Sequence, residues 1–225
     1  MASASKTLQI GIMMDTVQLI DLIGADILAR MRFETIQAAA IFSPQVKKLL
    51  PHAPALKLHF LSTTLKPTVM TTGLTYSPNM TYDQCPRDLD IVIVGGSSKN
   101  HRPAAADKFM KEAWKKTPVW LTVSTGSMWL ASSGVLNGIE ATTNRPFHAS
   151  AKETHDKVKW VDKRWVSSPK PYEGKSSLKP AVWTAGGGGC GIDMVVSFCH
   201  ANFNPELVNF AIIENMGYEP GPQDY

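Results

Sequence analysis

Ser124 sits between a buried-strand pattern, Val119 to Val123, and a helix pattern that begins at Met128. A side chain on such a strand-to-helix turn stands at the sheet edge, with the first N–H groups of the helix aimed toward it. Ser124 there suits a nucleophile or a positioning hydroxyl beside an oxyanion pocket, with Thr125 as its neighbour. Ser124 and Ser127 would serve equally as helix caps. Asp21 lies between Ile20 and Leu22 in an apolar stretch. A carboxylate in such a stretch is either paired or functional, and burial raises its pKa toward the range where it exchanges protons near neutrality. Asp15, at the end of the first apolar run, is a second candidate, with a turn role as the alternative.

Other segments compete for the same edge. Gly95 and Gly96 close the run Asp90 to Val94 and offer a backbone cradle for substrate, and His101 follows closely enough to reach it. The run Thr184 to Gly191 holds five glycines, Gly188 among them, together with Cys190. Glycines so placed suit close backbone approach. A dinucleotide site is disfavoured because no acidic residue follows about 20 residues later in a next strand. Cys190 is either a small buried residue or a relocated nucleophile. The six histidines form no HxH or HxxxH pair, so no metal site is expected.

The elements that must position these groups follow from apolar spacing. Leu8 to Met14 reads as a buried parallel strand and Leu19 to Arg32 as a helix. Leu56 to Leu61 alternates as a strand, and Thr68 to Tyr76 around Gly73 reads as a hairpin. Asp90 to Val94 is a strand, Asp107 to Lys116 a helix, and Val119 to Val123 the next strand. Strand–turn–helix repeated in this way marks an open parallel sheet with helices on its faces. Lys157 to Lys179 reads as a long hairpin or loop, Ala181 to Thr184 as a strand, and a helix is predicted from about Ile192 to Phe203. Asn204 and Pro205 mark the N-cap and first position of another.

Composition narrows the class. A chain of 225 residues, 44% hydrophobic and 19% charged, is neither disordered nor a coiled coil, and its length fits one domain over 1–225. The net charge of +4 is local: residues 152–179 hold eight Lys/Arg against four Asp/Glu, which reads as a solvated basic loop rather than a nucleic-acid stripe. No apolar run reaches the roughly 18 residues of a spanning helix. Met1 to Lys6 lacks the charged-then-apolar order of an export signal. The expectation is a cytoplasmic protein with three reduced cysteines and neither a nucleic-acid nor a membrane partner.

Five segments together resemble the ThiJ/PfpI superfamily, and its isocyanide hydratase-like branch in particular. They are Val123 to Gly138 with Ala141-Thr142-Thr143, Val17 to Gly24, Leu89 to Gly96, Thr184 to Asp193, and Glu214 to Pro222. The resemblance implies a flavodoxin-like α/β three-layer sandwich with a mostly parallel central sheet, of the class I glutamine amidotransferase-like kind, and a homodimer. It also implies a reactive elbow cysteine beside an acidic residue of the first helix. Here the elbow residue is Ser124, the family's histidine after Ala-Thr-Thr is Asn144, the proline before Gly-Gly is Val94, and the proline after Gly24 is Ala25.

A hydroxyl stays protonated at neutral pH where an elbow thiol ionises readily. The expectation is therefore a cofactor-independent enzyme doing acid–base chemistry as a lyase or hydratase, isomerase or cyclase. Its substrate would be an apolar small molecule of specialised metabolism. Asp21 would be the acid or base, with Ser124 and Thr125 as its catalytic companions. Gly95, Gly96, Ser127, Gly188, Cys190 and His101 would contact substrate, and Gly188 with Gly189 would enlarge the pocket. Two alternatives stand beside it: isocyanide hydration through Ser124 or Cys190, and a binding or regulatory protein without catalysis.

Overall fold

Four consecutive apolar residues, Ile91–Val94, are all buried, as a strand covered on both faces requires. They form the middle of a seven-stranded sheet in the computed structural model, which describes residues 6–225. The reading of the extreme N-terminus thus falls largely outside the described residues. Numbering only the strands of this sheet, they are β1 (Thr7–Met13), β2 (Ala55–Ser62), β3 (Met80–Thr81), β4 (Ile91–Val94), β5 (Val119–Val123), β6 (Trp165–Pro169) and β7 (Ala181–Ala185). Their order is β6-β7-β5-β4-β1-β2-β3, parallel throughout except for β6, which runs antiparallel to β7. The register pairs Met13 with Val94, Val94 with Thr122, and Val123 with Ala185. Four strands therefore end almost flush along one edge, where an open parallel sheet presents its ligand sites.

The helices are α1 (Ile23–Arg30), α2 (Phe33–Phe42), α3 (Ala104–Ala113), α4 (Gly126–Ser132), α5 (His148–Thr154), α6 (Gly188–Asn202) and α7 (Pro205–Val208). Successive side chains on a strand face opposite ways, and β5 shows it. Trp120 meets Phe109 of α3 at a ring separation of 6.3 Å, while Val123, on the other face, abuts Gly191 of α6. Helices thus cover both faces, giving the expected three layers. No helix among the described residues is long and apolar enough to cross a membrane.

Several boundaries differ from the sequence reading. The stretch predicted as one helix from Leu19 begins as a 3-10 turn, Leu19–Leu22, and becomes α-helical only at Ile23, so Asp21 sits on the turn. α6 starts at Gly188, four residues before the predicted point, since its glycines are tolerated where Gly188 meets Ile20 and Gly191 meets Val123. The 157–179 segment contributes the edge strand β6, a hairpin partner of β7. That segment is not wholly solvated. Lys170 is buried, donates to the carbonyls of Thr117 and Pro171 at 2.9 Å each, and lies 4.6 Å from the Trp114 ring centre. Burial pulls its pKa down to about 8. The hairpin around Gly73 and the Asn204 cap are as predicted: Thr68–Val69 pairs with Thr75–Tyr76, and Asn204 Oδ1 accepts from the Leu207 N–H at 3.1 Å.

Candidate active site

Val123 ends β5 and Gly126 opens α4, leaving two residues to reverse the chain. Ser124 makes the turn with φ 57°, in the left-handed region that L-residues rarely adopt. Three anchors hold it there. Its N–H donates to the Ala185 carbonyl at 3.1 Å, and its carbonyl accepts the hydroxyls of Thr143 at 3.1 Å and Ser127 at 3.2 Å. Its Oγ accepts from Asn144 Nδ2 at 3.2 Å. The residue standing where the resembled family has histidine thus touches the elbow hydroxyl as a hydrogen-bond donor.

Asp21 comes to the same place from the other side of the sheet edge. It is 1% exposed, and one carboxylate oxygen, Oδ2, accepts the Gly96 N–H at 2.9 Å. The other, Oδ1, is buried without a hydrogen-bond partner. Burial pushes its pKa up to about 6, against the opposing pull of the Gly96 N–H. Gly96 lies between Asp21 and the elbow residue Thr125. A Cβ there would stand 2.7 Å from Asp21 Oδ2, 2.8 Å from Thr125 Oγ1 and 3.1 Å from the Thr125 nitrogen. Thr125 Oγ1 in turn donates to the Ser97 carbonyl at 3.3 Å.

Asp21, Gly96, Ser124 and Thr125 line one cavity of about 380 Å³. Its wall also includes Thr16, Arg102, Met128, Asn144 and Phe147. The sequence reading missed these last residues. Asn144 was visible as a departure from the family pattern but not as a contact of Ser124, and Arg102 carried no motif beyond its place in the loop after Gly96.

The remaining predicted contacts lie elsewhere. Ser127 is fully buried, and its hydroxyl braces the elbow instead of facing the cavity. Gly95 packs toward Val17 and Leu22. His101 turns its ring edge-on to Trp129 at 5.6 Å and sets Nε2 3.6 Å from Asp15 Oδ2. Asp15 is itself buried and occupied by the hydroxyls of Ser62 and Tyr82. Gly188 does not widen the cavity, because the Ile20 side chain fills the space where its Cβ would be. Cys190 faces the Tyr225 hydroxyl at 3.9 Å, outside the cavity lining. The N–H groups of Ser124 and Gly96 are spent on Ala185 and Asp21, so neither is open to an oxyanion. Among the described residues no three His, Cys, Asp or Glu side chains cluster as metal ligands.

The fold and site define a three-layer α/β protein with a strained elbow set against a buried carboxylate. The family model for the DJ-1/PfpI family matches residues 33–176, and the chain belongs to that family. The matched stretch includes the Ser124 elbow, and Asp21 precedes it. The chain is 29% identical over 125 residues to an isonitrile hydratase of Pseudomonas putida, a match spanning 50% of this chain and 54% of that protein. Among solved structures it is similar to a ThiJ/PfpI family protein from Pseudomonas syringae, with TM-score 0.72, 18% identity, and coverage of 96% of this chain and 77% of that one. It is similar also to Drosophila melanogaster DJ-1beta, with TM-score 0.66, 13% identity, and coverage of 95% and 99%.

Proposed function

We propose that this protein is a cofactor-independent hydratase that adds water to a small molecule by acid–base chemistry, with Asp21 as the acid. The observation that supports this most is the Asp21 carboxyl itself: buried, with Oδ1 unpartnered, and holding its proton up to about pH 6 in the cavity that Ser124 lines. A general acid works best with its pKa near the operating pH. The hydratase relative suggests an isonitrile, R–N≡C, as test substrate. Asp21 gives its proton to the terminal carbon, water bonds to that carbon through oxygen, and the carboxylate recovers the surplus proton. The product R–N=CH–OH tautomerises to the formamide R–NH–CHO. Ser124 and Thr125 position the water and substrate. The assay is formamide formation from a simple alkyl isonitrile, and absence of product together with absence of binding overturns the reading.

A covalent route through Ser124 is the second reading, favoured by the strained φ of 57° that presents its hydroxyl. The two separate cleanly. On the acid–base reading Ser124→Ala loses only about tenfold in kcat and no adduct on Ser124 appears by mass spectrometry. A dead Ser124→Ala enzyme with a trapped adduct assigns the nucleophile to Ser124.

Thiol chemistry has less support. Burial pushes the Cys85 thiol up to about 12 and the Cys199 thiol well above its ordinary value, and Cys190 lies off the cavity. Cys190→Ala should therefore keep activity within about twofold, and loss of turnover in a folded Cys190→Ala protein would contradict that. The proposal includes a cytoplasmic homodimer, which light scattering would read as twice the 24.6 kDa chain mass.

A further inference from the structure

We propose that the elbow cavity takes a substrate with an apolar body and a carboxylate, the carboxylate being held by Arg102 with Lys99 at the rim. This deepens the proposed function and rests on its choice of cavity. Both cations line the cavity, and neither forms an ion pair with any acidic side chain among the described residues. Arg102 is half-buried, and its Nη1 is committed to the carbonyls of Ser98 at 2.8 Å and His101 at 2.7 Å. Fixing that one nitrogen orients the planar group and leaves its Nε–Nη2 edge as the fork. Two parallel N–H donors on such an edge match the two oxygens of a carboxylate.

The surroundings supply no internal counter-ion. The guanidinium lies 5.9 Å from the Trp129 ring centre, an apolar neighbour that lowers local screening. Burial pulls its pKa below the usual value, and its charge adds to the burial that lowers the pKa of His155. Asp15, the carboxylate nearest His101, is taken up by Ser62, Tyr82 and His101. Asp21 faces the same cavity, but burial and the Gly96 N–H set its pKa, without any cation. Arg102 and Asp21 thus serve different parts of one ligand, with Met128 and Phe147 offering apolar surface.

The test is calorimetric binding of phenylacetate, its neutral analogue phenylacetamide, and phenyl phosphate to the whole chain in low salt. We expect phenylacetate to bind at least about tenfold more tightly than the amide. Arg102→Gln should abolish that preference. Arg102→Lys, which keeps the charge but not the fork, should lose most of it and guards against a folding defect in the first variant. Lys99→Gln should cost only about threefold, because Lys99 is exposed. Equal binding of acid and amide, binding of neither, or preference retained in both Arg102 variants would overturn the proposal. Tighter binding of phenyl phosphate than of phenylacetate would overturn the carboxylate assignment. A carboxylate preference in a protein that hydrates no isonitrile leaves this inference standing and removes the proposed reaction, and hydration without the preference does the reverse.

Discussion

Asp21→Asn should lose about 10²–10⁴ in kcat/KM for the proposed hydration, the usual worth of a general acid, while the folded protein becomes more stable at pH 7.5. The two effects have one cause. The folded-state pKa of Asp21 is raised from 3.8 to about 6 by burial. Between those values the folded chain binds a proton that the unfolded chain releases, so stability falls as pH rises through that window. Above about pH 6 the native state carries a buried ionised carboxylate with one unpartnered oxygen. The full shift corresponds to roughly 3 kcal/mol. Asn keeps the acceptor for the Gly96 N–H and removes the charge, so a gain of about 1–3 kcal/mol is expected, reduced by its own unpartnered amide. Urea titrations at pH 4 and pH 7.5 would show the gain only at the higher pH. A variant that lost activity and stability together would identify Asp21 as a structural group.

Gly126→Ala should be among the most damaging single substitutions in the chain. Its Cβ would stand 2.3 Å from the Val94 carbonyl oxygen and 3.0 Å from the carbonyl carbon and oxygen of Gly95. Those are backbone atoms of a central strand end, so no side chain can swing aside. A cost of about 3 kcal/mol or more follows, at the upper end for overpacking. For a chain of this size that lowers Tm by roughly 6–12 °C. The close approach of α4 to the end of β4 is what brings Thr125 to Gly96, so residual activity at low temperature should fall as well. Thermal melts check the first part, and a melting point within 2–3 °C of wild type, as an order of magnitude, would contradict it.

The elbow was legible because a five-residue buried strand followed by Ser-Thr-Gly is a local pattern. The structure adds that Ser124 makes this turn in the left-handed region. Asp21 was legible for a similar reason, as a carboxylate with apolar neighbours on both sides. Asn144, Thr16 and Arg102 were not, because each reaches the cavity through tertiary placement of a loop whose own sequence has no period. Ser127 and His101 show the opposite failure. Proximity in sequence to an elbow or a glycine pair suggested cavity contacts, yet Ser127 is turned inward to brace the Ser124 carbonyl. His101 is drawn to Trp129 and Asp15. Of the glycines in the Thr184–Gly191 run, Gly186, Gly188 and Gly191 are close-approach positions while Gly187 and Gly189 border open space, and the space at Gly188 belongs to Ile20 and not to a ligand.

The pH dependence of kcat/KM, measured from pH 4.5 to 8.5 on wild type and Asp21→Asn, tests the central claim most directly. If Asp21 is the acid, with its pKa at about 6, wild-type activity is flat at low pH, bends near pH 6 and falls about tenfold per unit above it. The inflection is absent from the residual activity of Asp21→Asn. A wild-type profile with no bend near pH 6, or the same bend retained in the variant, would contradict the account.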